Sequence, residues 1–398
     1  MAQKNTHLTH VEDRILIDGK KGAEEAIKIL KEMGKYLSGT PGPGVTVTTK
    51  WDGAPAIVCG TDPADGMFFV GTKSVFAKDA KLCKSESDIN KWYSGELANK
   101  LKSALQYLPQ AEIKGVLQGD LMFTNDKKVE MIKGKRYITF RPNTITYATE
   151  PNSDLGKDIN RARLGIVFHT KYTGSDMQNM NASFNVSPND FKTGGDIWAE
   201  RATFQDVSGV ANFNNPEREK YQSCIRMAEG SIKQTGNILN KIQTGKRTLE
   251  MDTEFLKFFN NYVKEGRQIP SVKRAYDDFL YHMGKEYNKV VVKHKTLKAQ
   301  ERKVGKFVEM LAFAEENEKE LKMLIATYMN LEAAKLILVN KMKKVSDLKL
   351  FVNMGDHYDV TSPEGFVAIV DGEATKLIDR LEFSKLNFTV PKKWDWDK

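Results

Sequence analysis

The feature that most constrains the fold is a change of texture along the chain that reverses near its end. Between 45 and about 172, β-branched or aromatic runs at 45–50, 56–59, 67–70, 115–123, 137–140, 144–147 and 164–170 are bounded by Gly, Pro, Asn and Asp. That is the pattern of strands closed by turns. One helix interrupts them near 89–108, with Trp92, Leu97, Leu101, Leu105 and Leu108 along one side. From about 215 to 348 the segments 217–242, 253–265, 271–282 and 300–341 carry apolar residues at three- and four-residue steps, which reads as helix. Strand texture then returns at 365–370 and 381–390. Strands flanking a long helical block predict an α+β fold in which one β-rich domain carries a large helical insertion. The boundaries are a helical segment over 1–44, a β-rich domain over 45–172 and 356–398, and an insertion over 173–355 that starts in Asn-, Ser- and Gly-rich loops. Within the first segment, 11–37 has helical spacing and Pro41-Gly42-Pro43-Gly44 stops it.

A chain of 398 residues, 40% hydrophobic and 10% aromatic, has the means to bury a sizeable core. No apolar run approaches the roughly 20 residues that span a bilayer, and the start of the chain lacks the apolar stretch of a signal peptide. Cys59, Cys83 and Cys224 are scattered without a CxxC pair, so a disulfide framework and a thiolate metal site are not expected. These features predict a protein of a reducing intracellular compartment that needs no membrane. The net charge of +9 suits a partner made of phosphates.

The run at 45–50 ends in Lys50-Trp51-Asp52-Gly53. This places an amine at a strand end, followed by a turn where glycine lets backbone approach a ligand. A lysine attacks only as the free amine, which requires burial or a neighbouring cation to depress its pKa. Further on stand Lys73 in Val70-Gly71-Thr72-Lys73-Ser74, Asp120 in Val116-Leu117-Gln118-Gly119-Asp120-Leu121, and Phe168 in Gly165-Ile166-Val167-Phe168-His169-Thr170. Glu364 follows in Pro363-Glu364-Gly365-Phe366-Val367, and Lys385 and Lys376 lie near the end.

In that order these elements resemble the covalent nucleotidyltransferase superfamily of ATP-dependent DNA ligases, RNA ligases and mRNA capping enzymes. The resemblance covers about 45–172 and 356–390. It departs from the family at Asp120, where glutamate is usual, and in the terminal Lys-x-Lys pair, which is incomplete. It implies a ligase adenylation-domain fold, here without a C-terminal OB-fold. It also implies Lys50 as the nucleophile that takes AMP from ATP, with Asp52 orienting the lysine or the nucleotide, Gly53 at the turn binding the nucleotide, and Lys73 neutralising the phosphates. Asp120 would grip the ribose and Phe168 stack on the base, while Glu364, with Asp120, would hold Mg²⁺ or Mn²⁺. Lys385, or Lys376 in its place, would meet the α-phosphate. The chain is also similar to uncharacterised proteins of T4-like marine phages, including His7-Leu8-Thr9-His10-Val11-Glu12-Asp13, which implies the cytoplasm of an infected bacterium.

The resemblance makes an ATP-dependent polynucleotide ligase the leading expectation. RNA is favoured over DNA because Ala54-Pro55-Ala56 follows where DNA ligases and capping enzymes usually carry arginine. A DNA ligase, a GTP-using capping-type transferase and a catalytically silent nucleic-acid-binding protein remain the alternatives. The dense cations Lys285, Lys289, Lys293, Lys295, Lys298, Arg302, Lys303 and Lys306 are the candidate phosphate-backbone contacts. Arg141-Pro142-Asn143 has equal claims to the pocket and to a structural hairpin. His7 and His10 read as a surface pair at a helix start rather than as metal ligands. Gly71-Thr72-Lys73-Ser74 is not a P-loop.

Overall fold

The computed structural model describes residues 8–204, 211–235, 237–244, 249–293, 295–345, 348–354 and 357–383. They form an α+β protein of three sheets and a helical layer. The first sheet is antiparallel, with β13 (Gly365–Val370) between β1 (Val45–Lys50) and β14 (Glu373–Leu377). The second has the order β10 (Ile197–Arg201), β8 (Leu164–Thr173), β4 (Val116–Phe123), β2 (Ala56–Thr61), β3 (Phe68–Gly71), with β9 (Asn181–Ser183) also paired to β8. The third runs β12 (Tyr358–Val360), β11 (Lys349–Asn353), β7 (Ile145–Thr149), β6 (Lys135–Phe140), β5 (Lys128–Ile132).

The helices are α1 (Arg14–Ile17), α2 (Gly19–Tyr36), α3 (Glu86–Trp92), α4 (Gly95–Tyr107), α5 (Asp154–Arg161), α6 (Asn215–Gln234), α7 (Ile238–Thr244), α8 (Met251–Lys264), α9 (Val272–Lys293), α10 (Leu297–Glu316) and α11 (Glu318–Met342). Burial explains the layering. Every residue of β13 is buried, as a strand covered on both faces must be. One face, with Phe366, Ala368 and Val370, joins Val47 and Leu377 in a single core with Leu30 of α2, Phe259 of α8 and Leu331 of α11. On the second sheet, Leu101 and Ala104 of α4 pack against Ile57, Leu117, Leu121 and Ile166. The opposite face meets the third sheet through Met122, Val167, Trp198, Tyr147 and Leu350.

Several expectations are corrected by this architecture. The N-terminal helix is not a separate segment, because α2 shares its core with the insertion helices and with β1 and β13. The loop-rich stretch after 172 returns to the sheets: β10 runs parallel to β8, and β11 pairs with β7. The helix near 89–108 breaks at Tyr93 and Ser94, whose backbones are extended. The expected helix over 300–341 divides at Asn317 into α10 and α11. Residues 380–383, at the start of the expected final strand, are helical, and the rest of that strand lies outside the described residues.

Candidate active site

The register of β1 on β13 sets Lys50 opposite Gly365, beside Glu364. Lys50 Nζ donates directly to Glu364 Oε2, so two residues 314 positions apart meet as an ion pair. Burial pushes the Glu364 carboxyl above its ordinary range; the Lys50 charge pulls it down, and Asp52 and Asp120 push it up again. Gly365 is required there, since a Cβ would lie 2.6 Å from the Leu377 carbonyl oxygen.

Asp52 turns inward. Its Oδ2 accepts from the Thr144 and Ile145 amides, each at 2.7 Å, and its Oδ1 accepts from Asn143 Nδ2 at 2.7 Å. The Asp52 amide donates to the Tyr147 hydroxyl at 2.8 Å. With both oxygens taken and the side chain buried, Asp52 fixes the turn after the lysine rather than touching a ligand. Burial raises its pKa, against three hydrogen bonds that favour the charged form. Asn143 belongs to the Arg141-Pro142-Asn143 turn, so that turn supports the site through Asp52. Gly53 passes so close to β4 that a Cβ would stand 2.5 Å from Asp120 Cβ; glycine at this position lets the lysine turn pack on the neighbouring strand.

Lys376 pairs with Val367, which pairs in turn with Thr48. Cross-strand partners share a face and alternate residues repeat it, so Lys376 and Lys50 rise from the same side of the sheet. Burial lowers the Lys376 pKa first, and the Lys50 charge lowers it further. Asp120 pairs with Ala56, at the end of the second sheet that Gly53 crosses. The exposed Lys73 leaves that same end, just after Gly71 pairs with Val58.

Phe168 is corrected by the structure. It is fully buried among Leu117, Leu121 and Ile166, 4.9 Å from the Phe191 ring. It pairs with Gly119 while Asp120 pairs with Val167, so it lies on the opposite face from Asp120 and cannot stack on a base that Asp120 orients. The residue missed is its neighbour His169, whose Nε2 stands 3.8 Å from Asp120 Oδ1. Only the pairing across β4 and β8 reveals this, because neither residue is marked by a motif. Lys385 lies outside the described residues.

Among the described residues, no group of three or more His, Cys, Asp or Glu side chains converges to hold a metal ion. Glu364 and Asp120 are close enough to raise the carboxyl pKa of Glu364 together with Asp52. A pair of carboxylates fits Mg²⁺, which keeps waters and takes its remaining ligands from substrate phosphates rather than from an all-protein cage. His10 is not a surface residue: burial drives its pKa down to about 3, its Nδ1 is shielded without a partner, and it bridges to Lys376. His7 lies outside the described residues.

The cationic segment forms a helical hairpin. Lys289 and Lys293 lie on α9, Lys295 in the connection, and Lys298 and Arg302 on α10; all five are exposed. Tyr287 stacks on Phe307 at 4.3 Å and joins the two arms. Lys289 also pairs with Glu286 at 2.6 Å.

The fold and site together define a mixed α/β protein with a lysine–carboxylate pair at the end of two paired strands. The chain belongs to DUF6267, a family of unknown function whose model matches residues 5–392. No curated protein and no solved structure matches it. No helix of the described residues is long and apolar enough to cross a membrane.

Proposed function

We propose that the protein is an ATP-dependent polynucleotide ligase of the covalent nucleotidyltransferase superfamily, acting on RNA through a lysyl-AMP intermediate on Lys50. The observation that carries this reading is the Lys50–Glu364 ion pair on adjoining strand ends. Glu364, in contact with the ammonium and raised in pKa by burial, takes its proton and passes it on to solvent. The free amine then attacks the α-phosphorus of ATP, forming an N–P bond as the bond to the β-phosphate oxygen breaks and pyrophosphate leaves with the electron pair. Lys376, on the same sheet face, supplies positive charge to the phosphates. Asp120 and His169 would meet the ribose, and Lys73 the far end of the triphosphate. Asp120, with Glu364 once it has passed its proton to solvent, would hold Mg²⁺, which would shield the triphosphate charge. In the second step a 5′-phosphate oxygen attacks the lysyl-bound phosphorus, the N–P bond breaks, and the lysine amine recovers a proton. A 3′-hydroxyl then displaces AMP. The α9–α10 hairpin is the RNA-binding arm.

The test is transfer of label from α-labelled ATP to the denatured chain. Acid-labile, alkali-stable label that disappears in Lys50→Ala is the expected result. No label with ATP or GTP, on protein freed of bound AMP, would overturn the reading, and label from GTP alone would make it a capping-type transferase. Sealing of nicked RNA, nicked DNA or single-stranded RNA ends then identifies the acceptor.

A further inference from the structure

A cavity of about 310 Å³ lies against Lys50, and none of Asp120, Glu364, Lys376 or Lys73 lines it. Leu155, Val345, Pro363 and the carboxylate of Glu200 form part of its wall, and most of the rest comes from three elements that the fold brings together. Residues 202–204 run beside β1, with the Thr49 amide donating to the Ala202 carbonyl and the Phe204 amide to the Val47 carbonyl, each at 2.7 Å. β10 contributes Trp198 and Arg201, and the third sheet contributes Tyr147 and Leu350. Trp51 completes it, stacked on Tyr147 at 5.3 Å and edge-on to Trp198 at 6.3 Å. The Trp51 indole N–H is shielded from water and has no acceptor. A buried donor without an acceptor costs free energy, and an indole whose partner is absent invites one.

We propose that this cavity receives the terminal nucleobase of the 5′-phosphorylated RNA end. Aromatic walls suit a planar ring whatever its sequence. Each nucleobase carries a ring nitrogen or carbonyl oxygen able to accept from Trp51 Nε1 once the indole turns its N–H to the cavity. Arg201, half-buried in the wall, offers a planar cation to backbone phosphate. The base is that of the strand and not that of ATP, because the residues assigned to ATP line no part of the cavity while Lys50 does. The inference rests on the ligase reading: a 5′-phosphate must reach the phosphorus on Lys50, which brings its own nucleoside next to this lysine. The arrangement selects an unpaired end, since a base held in a duplex cannot enter an aromatic pocket without leaving its stack.

The experiment uses the full chain carrying Lys50→Ala, so that bound RNA is not consumed and no lysyl-AMP is needed. Two short 5′-phosphorylated RNA oligonucleotides, one ending in adenosine and one in an abasic nucleotide, are titrated by anisotropy and by tryptophan quenching. The base-bearing end is expected to bind about tenfold tighter, the scale of one base–aromatic stack. Adding Trp51→Leu should erase that preference, and Trp51→Phe, which keeps a ring but has no N–H, should retain part of it. Equal affinity for the two ends, absence of binding to either, or a preference that survives Trp51→Leu would overturn the inference. The comparison of the two ends on the protein without the tryptophan change stands even if the Trp51 variants fold poorly. Label transfer to Lys50 is read separately, so the cavity can fail while the ligase reading holds.

Discussion

At the scale of single residues, Lys50 and Glu364 form one ion pair, and the proposed ligase chemistry has them share one proton. Glu364→Gln keeps the shape of the side chain and removes the acceptor. Lysyl-AMP formation is therefore expected to fall about 100-fold or more, the scale of general acid–base assistance, with label transfer as the readout. Asp52 acts differently, because its contacts are with its own chain. Asp52→Ala leaves the Thr144 and Ile145 amides and Asn143 without their acceptor. Each buried donor so orphaned costs about 1–3 kcal/mol, so a loss of at least about 3 kcal/mol is expected in chemical denaturation. The need for glycine at 53 was legible in the sequence because a close backbone approach is a local steric demand, whereas Asp52, expected to orient the lysine or the nucleotide, is taken up by amides of 143–145 that only the fold brings to it. Phe168 was not, since which face a strand residue takes depends on the register of its partner strand. His169 was invisible for the same reason.

At the scale of elements, the strands rich in β-branched residues within 45–172 stood out and the short ones beyond 172 did not. β9 and β11 hold their places through pairing with β8 and β7, a tertiary cause that local pattern does not carry. Helix periodicity ran through Tyr93-Ser94 and Asn317 because apolar spacing continues across both breaks. The α9–α10 hairpin is the element whose role is most open to test. Replacing Lys289, Lys293, Lys298 and Arg302 with Gln removes four exposed cations. RNA affinity should fall, and the slope of log K against log salt should shrink by about 0.7 for each phosphate that is no longer neutralised. A titration in rising salt by filter binding or anisotropy measures both; an unchanged slope would remove the hairpin from the RNA path.

At the scale of the whole molecule, the parts are tied by charges buried where the layers meet. Lys335 of α11 and Glu12 are fully buried and paired at 2.5 Å. Arg380 donates to Asp13 at 3.2 Å and contacts the Tyr328 hydroxyl at 3.1 Å and Asn260 of α8. The segment holding Glu12 also lies along β14, where the Lys376 amide donates to the Thr9 carbonyl at 2.9 Å. Lys335→Met strands a buried carboxylate and should cost about 3–5 kcal/mol, most of which Glu12→Gln in the same chain should restore; denaturation of the single and double variants measures the pair. Beside them, burial pushes the Glu332 carboxyl up to about 7, against the Lys335 charge. A carboxyl raised by folding gives stability that is present at low pH and lost as pH rises through its folded value. Glu332→Gln should therefore stabilise the fold at pH 8 by on the order of 1 kcal/mol, read as a higher melting temperature, and leave it nearly unchanged at pH 4.5. None of this network was legible in the sequence, because a lysine at a helical core position reads as a solvated residue until its partner is known.

The 314 positions between Lys50 and Glu364 also separate them in time. At synthesis rates of about 5–20 residues per second, roughly 16–60 s pass between synthesis of the lysine and synthesis of the carboxylate. During that interval β1 has no β13 to pair with, and any fragment released early carries the lysine without its carboxylate partner. On the ligase reading proposed above, such a chain could not consume ATP until β13 has been made.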